Sequence, residues 1–177
     1  PPLDLEYSWH PAERKGYSGV ATFSNNTFKN IEKGKGDKDL EGRILVTKHG
    51  NLTMINTYLP SGSSKLERQM FKENWMDEYL EWLLKFVNLD TPVIIAGDLN
   101  IAHTENDIWN PTGNKMTSGF LPNEREWFDK LLETGWIDIC REKFGEMKGP
   151  YSWRSNRGRA RILDRGWRID YFLVNEA

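Results

Sequence analysis

The tetrapeptide GDLN at positions 97–100 carries the sharpest chemical signal in the sequence, because it directly follows the apolar run VIIA at 93–96. Side chains two positions apart on an extended chain point the same way, so Asp98 and Asn100 are predicted to project together. A carboxylate there can accept a proton from water or hold a metal ion, and an amide can donate a hydrogen bond to a phosphate oxygen. An ordinary Gly-Asp turn followed by a helix-capping Asn fits the tetrapeptide at least as well.

Two further polar residues stand at the ends of predicted strands. Asp170 begins the apolar run 171–174, and Tyr58 closes the β-rich run 52–58 before the break at Pro60. Taken singly, an acid at such a point is often a turn former, and a tyrosine there is as readily part of the core. Two acids at the ends of two apolar strands nevertheless favour a shared site, in which the tyrosine hydroxyl could donate to a phosphate.

The segment 151–168 combines arginines with aromatic side chains. Arginines interleaved with rings such as Trp153 and Trp167 suit stacking on bases or sugars while pairing with phosphates. A solvated arginine loop is the alternative. The net charge of −2 argues against indiscriminate binding of polyanions, although it leaves room for this local basic region. Its arginines are Arg154, Arg157, Arg159, Arg161, Arg165 and Arg168, against one acid, Asp164.

The composition is that of an ordinary globular protein. The 177 residues fit one domain spanning 1–177, and no apolar run reaches the roughly 20 residues of a membrane helix, so no membrane partner is expected.

The single cysteine, Cys140, excludes an internal disulfide and favours a reducing, intracellular setting in the cytoplasm, nucleoid or nucleus. The chain begins Pro-Pro without Met, and we expect this start to be a fragment edge.

The pattern along the chain predicts strands separated by long helices. Strands are predicted over 17–24 and 171–174, and a hairpin joins 43–48 to 52–58. A capping box at 64–67 starts a helix that runs to 88, with Leu66, Met70, Tyr79, Leu83 and Val87 on its inner face. The run 93–96 reads as a strand buried on both faces, and 123–135 as a second helix. This alternation predicts a layered α/β arrangement.

Read together, these motifs resemble the exonuclease III family of abasic-site endonucleases, within the endonuclease/exonuclease/phosphatase superfamily. The resemblance runs from about 17 to 174 and implies a DNase I-like fold of class α/β (α+β), a four-layered sandwich of two mixed β-sheets flanked by helices. It implies that Tyr58 is the catalytic tyrosine and that Asp98 activates water or handles a leaving-group proton. Asn100 would stabilise the transition state, and Asp170 would orient a catalytic histidine.

The same resemblance implies a DNA-binding surface and a metal. Asn110 and Asn114 lie in a stretch similar to the family's DNA-contacting region, with Asn114 expected to face a phosphate. The cofactor implied is Mg²⁺ (or Mn²⁺), held near Asp98 and Asn100. The residues expected to line the sugar pocket or the DNA-facing wall are Trp153, Arg157, Arg159, Trp167, Arg168 and Ile169.

Three motifs of the family have no counterpart here: its opening Trp-Asn-x-Asn-Gly strand, its Leu-Gln-Glu strand with the principal magnesium ligand, and its closing Ser-Asp-His. We therefore expect a partial domain, truncated at both ends, with unpaired strand edges. We also expect the isolated chain to bind abasic DNA weakly and to cut it very slowly.

The function implied is metal-dependent hydrolysis of DNA phosphodiesters 5′ to abasic sites, as an AP endonuclease and 3′–5′ exonuclease in DNA repair. Double-stranded DNA with abasic sites is the expected partner of a monomeric protein. Two alternatives remain: another phosphohydrolase of the superfamily, acting on nucleotides, inositol phosphates or lipids, and a non-catalytic remnant that binds DNA.

Overall fold

The computed structural model describes residues 4–36 and 39–177, which form ten strands and three α-helices in the described ranges. Two short 3-10 turns, Glu105–Asp107 and Thr112–Asn114, lie between residues 98 and 122. The elements are β1 (Glu6–His10), β2 (Val20–Ser24), β3 (Lys29–Lys33), β4 (Ile44–His49), β5 (Leu52–Tyr58), α1 (Leu66–Val87), β6 (Val93–Asp98), α2 (Pro122–Glu133), β7 (Ile137–Asp138), α3 (Ile139–Phe144), β8 (Trp153–Arg154), β9 (Gly166–Trp167) and β10 (Asp170–Val174).

A six-stranded mixed sheet forms the centre of the fold, in the order β3-β4-β5-β6-β10-β7. The predicted hairpin is β4 and β5, joined at Gly50 and Asn51. Among these neighbouring strands, β5 and β6 are the only parallel pair. A parallel pair requires a crossover connection, and α1 forms the connection between β5 and β6. The predicted α/β class is confirmed.

Helices α1 and α2 cover one face of this sheet. Alternate residues of the central strands, including Ile55, Ile95 and Leu173, are fully buried in one core cluster with both helices. Such burial supplies most of the folding free energy, at roughly 25 cal/mol per Å² of apolar surface.

The start of α1 differs from the prediction. The side chains of Leu66 and Met70 are 77% and 56% exposed, so they do not belong to the inner face. No side chain caps this helix, and Lys65 rather than Ser64 is its N-cap residue. The polar residue Lys72 is buried instead, followed along the helix by buried apolar residues up to Val87. The predicted capping box and the first two positions of the stripe are therefore wrong.

The opposite face of the sheet is only partly covered. The β1–β2 ribbon lies across it, and the Asn56 side chain donates a hydrogen bond of 2.8 Å to the Ala21 carbonyl. Farther along, Phe172 of β10 is 61% exposed and Ile94 of β6 is half-buried. The prediction that β6 is buried on both faces is thus wrong for the part of the chain that the structure describes. The described residues form three of the four expected layers, namely the helices, the six-stranded sheet and the β1–β2 ribbon.

Candidate active site

Tyr58, Asp98 and Asp170 form one row across three neighbouring strands. Tyr58 is the parallel register partner of Asp98 on β5 and β6, and Asp170 is the antiparallel partner of Asp98 on β10. Register partners point to the same face of a sheet, with strands about 4.8 Å apart. The three side chains therefore lie together on the face opposite α1 and α2, which we call the polar row.

The parallel approach of β5 and β6 depends on Gly97. Its φ of +147° is open to glycine, and a Cβ there would lie only 1.9 Å from the Thr57 carbonyl oxygen. A larger residue would push β6 away from β5 and separate Asp98 from Tyr58. The glycine of the GDLN motif is thus explained by the packing that places the two neighbouring side chains together.

Asp98 has an unusual proton affinity. The pKa of Asp98 is raised from 3.8 to about 6, chiefly by burial and to a smaller extent by the negative charge of Asp170. The Asn100 backbone N–H, which donates to Asp98 Oδ1 at 2.8 Å, acts in the opposite direction, as do the charges of Lys72 and Arg43. A carboxyl group with a pKa near 6 can both accept and release a proton close to neutral pH.

Asn100 is held in a specific orientation next to Asp98. Its φ of +49° lies in the left-handed region, which asparagine tolerates better than most residues. The side-chain Nδ2 donates a 2.7 Å hydrogen bond to the Leu59 carbonyl. That bond uses one N–H of the side-chain amide and fixes the plane of the amide. The amide can therefore present its second N–H to a phosphate at the polar row.

The ring of Tyr58 is packed against a guanidinium group. The Cζ atom of Arg43 lies 4.8 Å from the ring centroid, and Arg43 Nη1 donates to the Tyr58 carbonyl at 2.9 Å. Arg43 is held in turn by Glu41, which also accepts two hydrogen bonds from Arg68. These hydrogen bonds lower the pKa of Glu41, although burial opposes them as the largest single influence. A buried cation therefore fixes one end of the row.

An aromatic wall lies beside the GDLN turn. Trp153 of β8 and Trp167 of β9 are register partners, and Trp167 packs against a small cluster of Ala102, Ile108 and Phe120. A Cβ at Gly119 would lie 3.1 Å from both the Asn100 carbonyl oxygen and Trp167 Cζ3. The glycine thus allows the Trp167 ring to approach the Asn100 backbone.

The prediction that Arg168 contacts DNA is wrong. Its side chain is buried, with the residue 2% exposed, and its guanidinium forms a bidentate pair with Asp138 at 2.8 and 3.1 Å. Arg168 Nε donates to Asp107 at 2.7 Å, and Arg141 donates to the same carboxylate. These hydrogen bonds hold the Arg168 guanidinium inside the protein, so Arg168 is a structural residue.

The other residues predicted to bind DNA fall into two groups. Arg157 and Arg159 are exposed on the loop between β8 and β9, as a phosphate contact requires. Asn110 is also exposed, whereas the Asn114 amide donates to the carbonyls of Trp109 and Asn110 at 3.3 and 2.9 Å. Ile169 is buried, and its carbonyl accepts from the Leu99 N–H at 2.8 Å beside the GDLN turn.

Sequence reasoning missed four charged residues that support the site: Lys72, Glu124, Asp107 and Asp138. Lys72 and Glu124 form a fully buried ion pair beneath Asn100, and burial lowers the pKa of Lys72 while Glu124 opposes that shift. The spacing of Lys72 from the apolar residues Met76, Tyr79 and Leu83 was the available signal, because it places a lysine within the buried stripe of α1.

The donor set at the polar row matches a hard divalent cation only in part. Carboxylate and amide oxygens are the ligands that Mg²⁺ prefers, and Asp98, Asn100 and Asp170 supply them. Among residues 4–36 and 39–177 there is no group of three or more His, Cys, Asp or Glu side chains arranged to hold a metal ion. Asp98 and Asn100, with Asp170 nearby, are therefore the residues that could contribute to such a site.

Comparisons with known proteins identify relatives of the chain. The model of the family described as Endonuclease/Exonuclease/phosphatase family matches residues 2–177. The chain is 39% identical to an exodeoxyribonuclease of Bacillus subtilis, over 99% of the chain and 70% of that relative. It is 34% identical to the DNA repair nuclease APEX1 of Danio rerio, over 93% of the chain and 54% of that protein.

A solved structure shows the same architecture. The AP endonuclease LMAP of Leishmania major superposes with a TM-score of 0.88 at 26% identity, over 98% of this chain and 62% of that one. The chain thus spans between about half and 70% of the length of these relatives. Within the described ranges, the structure has no helix that is both long and apolar enough to cross a membrane.

Proposed function

Because the chain belongs to the endonuclease/exonuclease/phosphatase family, with DNA nucleases of the exonuclease III type as its relatives, we propose that it hydrolyses DNA phosphodiesters 5′ to abasic sites. The relatives bear the names of an exodeoxyribonuclease and a DNA repair nuclease, and the activity of this chain is inferred from that kinship together with its site. A 3′–5′ exonuclease activity belongs to the same proposal, since both reactions hydrolyse the same type of bond.

The polar row is the observation that carries the proposal. Tyr58, Asp98 and Asp170 meet at one level of the sheet, and Asn100 adjoins them through its hydrogen bond to Asp98. A hydroxyl, two carboxylates and a fixed amide on one face can together position a phosphate, take up a proton and stabilise added negative charge. Three strands supply these groups, which favours a rigid site.

Asp98 and Asn100 have complementary parts in the proposed reaction. Water oxygen forms a bond to phosphorus while a bond from phosphorus to a sugar oxygen breaks. In its ionised form Asp98 accepts the proton that the water loses; in its protonated form it can supply the one that the departing sugar oxygen gains. The Asn100 amide, and with it the Tyr58 hydroxyl, donate to phosphate oxygens as their charge grows.

A divalent cation is part of this proposal. Enzymes of the family are metal-dependent, generally with divalent cations. Bound near Asp98 and Asn100, Mg²⁺ (or Mn²⁺) would supply Lewis-acid charge to the phosphate oxygens. A metal-bound Asp98 would be a poorer base, and Asp170 is the second carboxylate close enough to share the proton or the cation.

The proposed substrate is double-stranded DNA with abasic sites. A base-free sugar leaves the helix with little loss of stacking, and Trp153 and Trp167 offer it an aromatic wall. Arg157 and Arg159 are exposed on the adjoining loop and can pair with phosphates. A monomeric state and an intracellular location, expected from the sequence, belong to the same proposal.

A substrate panel tests the proposal. The protein is incubated with Mg²⁺ and an abasic duplex, an intact duplex, a nucleoside monophosphate, an inositol phosphate and a phosphoinositide, and hydrolysis of each is measured. We expect slow cutting of the abasic duplex, alone or with exonucleolytic loss from the DNA ends. Preferred hydrolysis of a small phosphate would indicate another phosphohydrolase, and DNA binding without any hydrolysis would indicate a non-catalytic protein.

A further inference from the structure

A buried ion pair lies directly beneath Asn100. Lys72 of α1 and Glu124 of α2 are joined at 2.6 Å, and their side chains are 1% and 0% exposed. Lysine and glutamate are among the residues least often fully buried unless they are paired. The pair lies away from solvent at the junction of the two helices and the GDLN turn, where it cannot touch DNA.

Each partner also holds a piece of backbone at the site. Lys72 Nζ donates a 2.8 Å hydrogen bond to the Asn100 carbonyl. Glu124 Oε2 accepts from the Gly119 N–H at 2.6 Å and from the Leu121 N–H at 3.0 Å. One ion pair thus connects the Asn100 turn to the loop that carries Gly119, and Gly119 packs between Asn100 and the ring of Trp167.

Stability alone is a poor explanation for this pair. Taking two charges out of water costs free energy that their attraction only partly returns, and apolar residues of similar volume often serve a core equally well. The neighbouring buried positions of α1 are apolar, so the helix would pack there without a lysine. An apolar side chain could not, however, donate a hydrogen bond to the Asn100 carbonyl. Asn100 itself adopts a left-handed φ of +49°.

We infer that Lys72 and Glu124 are positioning residues for Asn100 and for the aromatic wall. Lys72 fixes the Asn100 peptide and through it the direction of the Asn100 amide, while Glu124 fixes Gly119 at the place where Trp167 rests. Neither residue contacts substrate. The inference rests on the proposed function for its catalytic consequence, but the fixed backbone is a property of the protein itself.

The test uses substitutions that differ in charge. Lys72→Met keeps the length of the side chain and removes its charge, whereas Lys72→Arg keeps the charge. The double variant Lys72→Met/Glu124→Gln removes both charges and keeps a hydrogen-bond acceptor for the Gly119 N–H. Because it leaves no unpaired buried charge, it provides a second test if Lys72→Met alone fails to fold. Lys130→Met is the matched control on α2, because Lys130 is exposed and pairs only with exposed Glu126 in the described structure.

The first measurement is nuclear magnetic resonance without DNA. In folded Lys72→Met, or in the double variant, we expect altered resonances of the Asn100 side-chain amide. Exchange of the Gly119 N–H with solvent should be at least about 10-fold faster in Lys72→Met, as expected for local loosening. Lys72→Arg should lie closer to the unsubstituted protein, and Lys130→Met should match it. Unchanged Asn100 and Gly119 signals in folded variants lacking Lys72 would overturn the inference.

The second measurement is the kinetics of abasic-duplex cutting. We expect Lys72→Met to lower kcat by about 10-fold or more with little change in KM, since a misdirected amide affects the transition state. Added to Asn100→Ala, it should cost little more than Asn100→Ala alone, because both changes remove one interaction. Fully additive losses would overturn the positioning role. If the unsubstituted protein cuts no DNA, the proposed function fails, whereas the resonance measurements still decide the inference.

Discussion

Asp98 and Asp170 are direct cross-strand partners on β6 and β10, so two carboxylates face each other at one level of the sheet. Like charges directly opposite each other are unfavourable in a sheet. Part of that repulsion appears as the raised pKa of Asp98, for which burial is the larger cause. Such a pair is relieved by a proton or a cation, which is what a proton-transferring or metal-binding site requires.

Stability should depend on pH through Asp98. Its pKa is raised from 3.8 to about 6 on folding, so this contribution is fully present below pH 3.8 and is lost as pH rises through about 6. Without a divalent cation, Asp98→Asn should therefore stabilise the protein at pH 7.5 by about 1 to 3 kcal/mol and have little effect near pH 4. Urea unfolding at both pH values measures this, with exposed Asp90→Asn as control. Equal effects at the two pH values would contradict the prediction.

Asn100→Ala should reduce cutting of abasic DNA by roughly 10²-fold or more, the scale for loss of one donor to a charged transition state. The variant loses the amide that the hydrogen bond to Leu59 orients. Single-turnover incision with Mg²⁺ measures the change, and Asn26→Ala on the exposed turn after β2 is the control. Near-normal incision by Asn100→Ala would remove the GDLN turn from the mechanism.

Arg157→Ala and Arg159→Ala should weaken binding to all duplexes about equally. Each lost phosphate contact should also reduce the slope of log affinity against log salt by about 1. Fluorescence anisotropy with abasic and intact duplexes, at several salt concentrations, provides both quantities. Exposed Lys130 of α2, on the side of the sheet opposite the polar row, is the control for loss of one positive charge when replaced by Ala. A salt slope that stays constant in both variants would make this segment an ordinary solvated loop.

Arg168→Met should destabilise the fold rather than weaken DNA contacts directly. It leaves Asp138 buried without its bidentate partner and removes one of the two arginines on Asp107. Breaking a buried pair in this way costs about 3–5 kcal/mol. The free energy of unfolding in urea measures the loss, and Arg161→Met on the exposed loop should stay within about 0.5 kcal/mol. A stable Arg168→Met protein with weakened DNA binding would restore the original prediction.

Trp167→Ala should reduce the preference for abasic over intact duplex. The ring lies beside the Asn100 backbone, and Trp167 is the register partner of Trp153, so its loss opens the aromatic wall without removing a hydrogen bond to Asp98. The ratio of kcat/KM values on the two duplexes is the measurement. Trp82→Ala, at a half-buried position of α1 on the side of the sheet opposite the row, controls for loss of a tryptophan. An unchanged ratio would exclude Trp167 from sugar selection.

The sequence was sufficient for four strands of the central sheet and for grouping the residues of the polar row. Apolar runs and turn residues mark β4, β5, β6 and β10, and the polar residues at their ends come together because those strands are neighbours. Strand order itself cannot be obtained from periodicity, since it depends on contacts between distant segments. The family resemblance supplied the fold class and the roles expected of Asp98 and Asn100.

Buried charges were the part that sequence patterns could not supply. Arg168 belongs to a run of arginines that composition assigns to the surface, yet Asp107 and Asp138 draw it inside from far along the chain. The spacing of Lys72 places it in the buried stripe of α1, but the partner that allows its burial, Glu124, lies far along the chain. A charged side chain is buried only where an oppositely charged partner contacts it. The position of that partner depends on the tertiary structure.

The position of β10 in the chain has a consequence for biosynthesis. Asp98 emerges from the ribosome about 70 residues before Asp170, which at 5–20 residues per second is a delay of roughly 4 to 14 s. During that interval β5 is available to pair with β6, whereas β10, which covers the other edge of β6 in the folded protein, has not yet been synthesised. A nascent chain therefore carries Tyr58 and Asp98 without their opposing carboxylate, and the exposed edge is open to a chaperone or to another polypeptide.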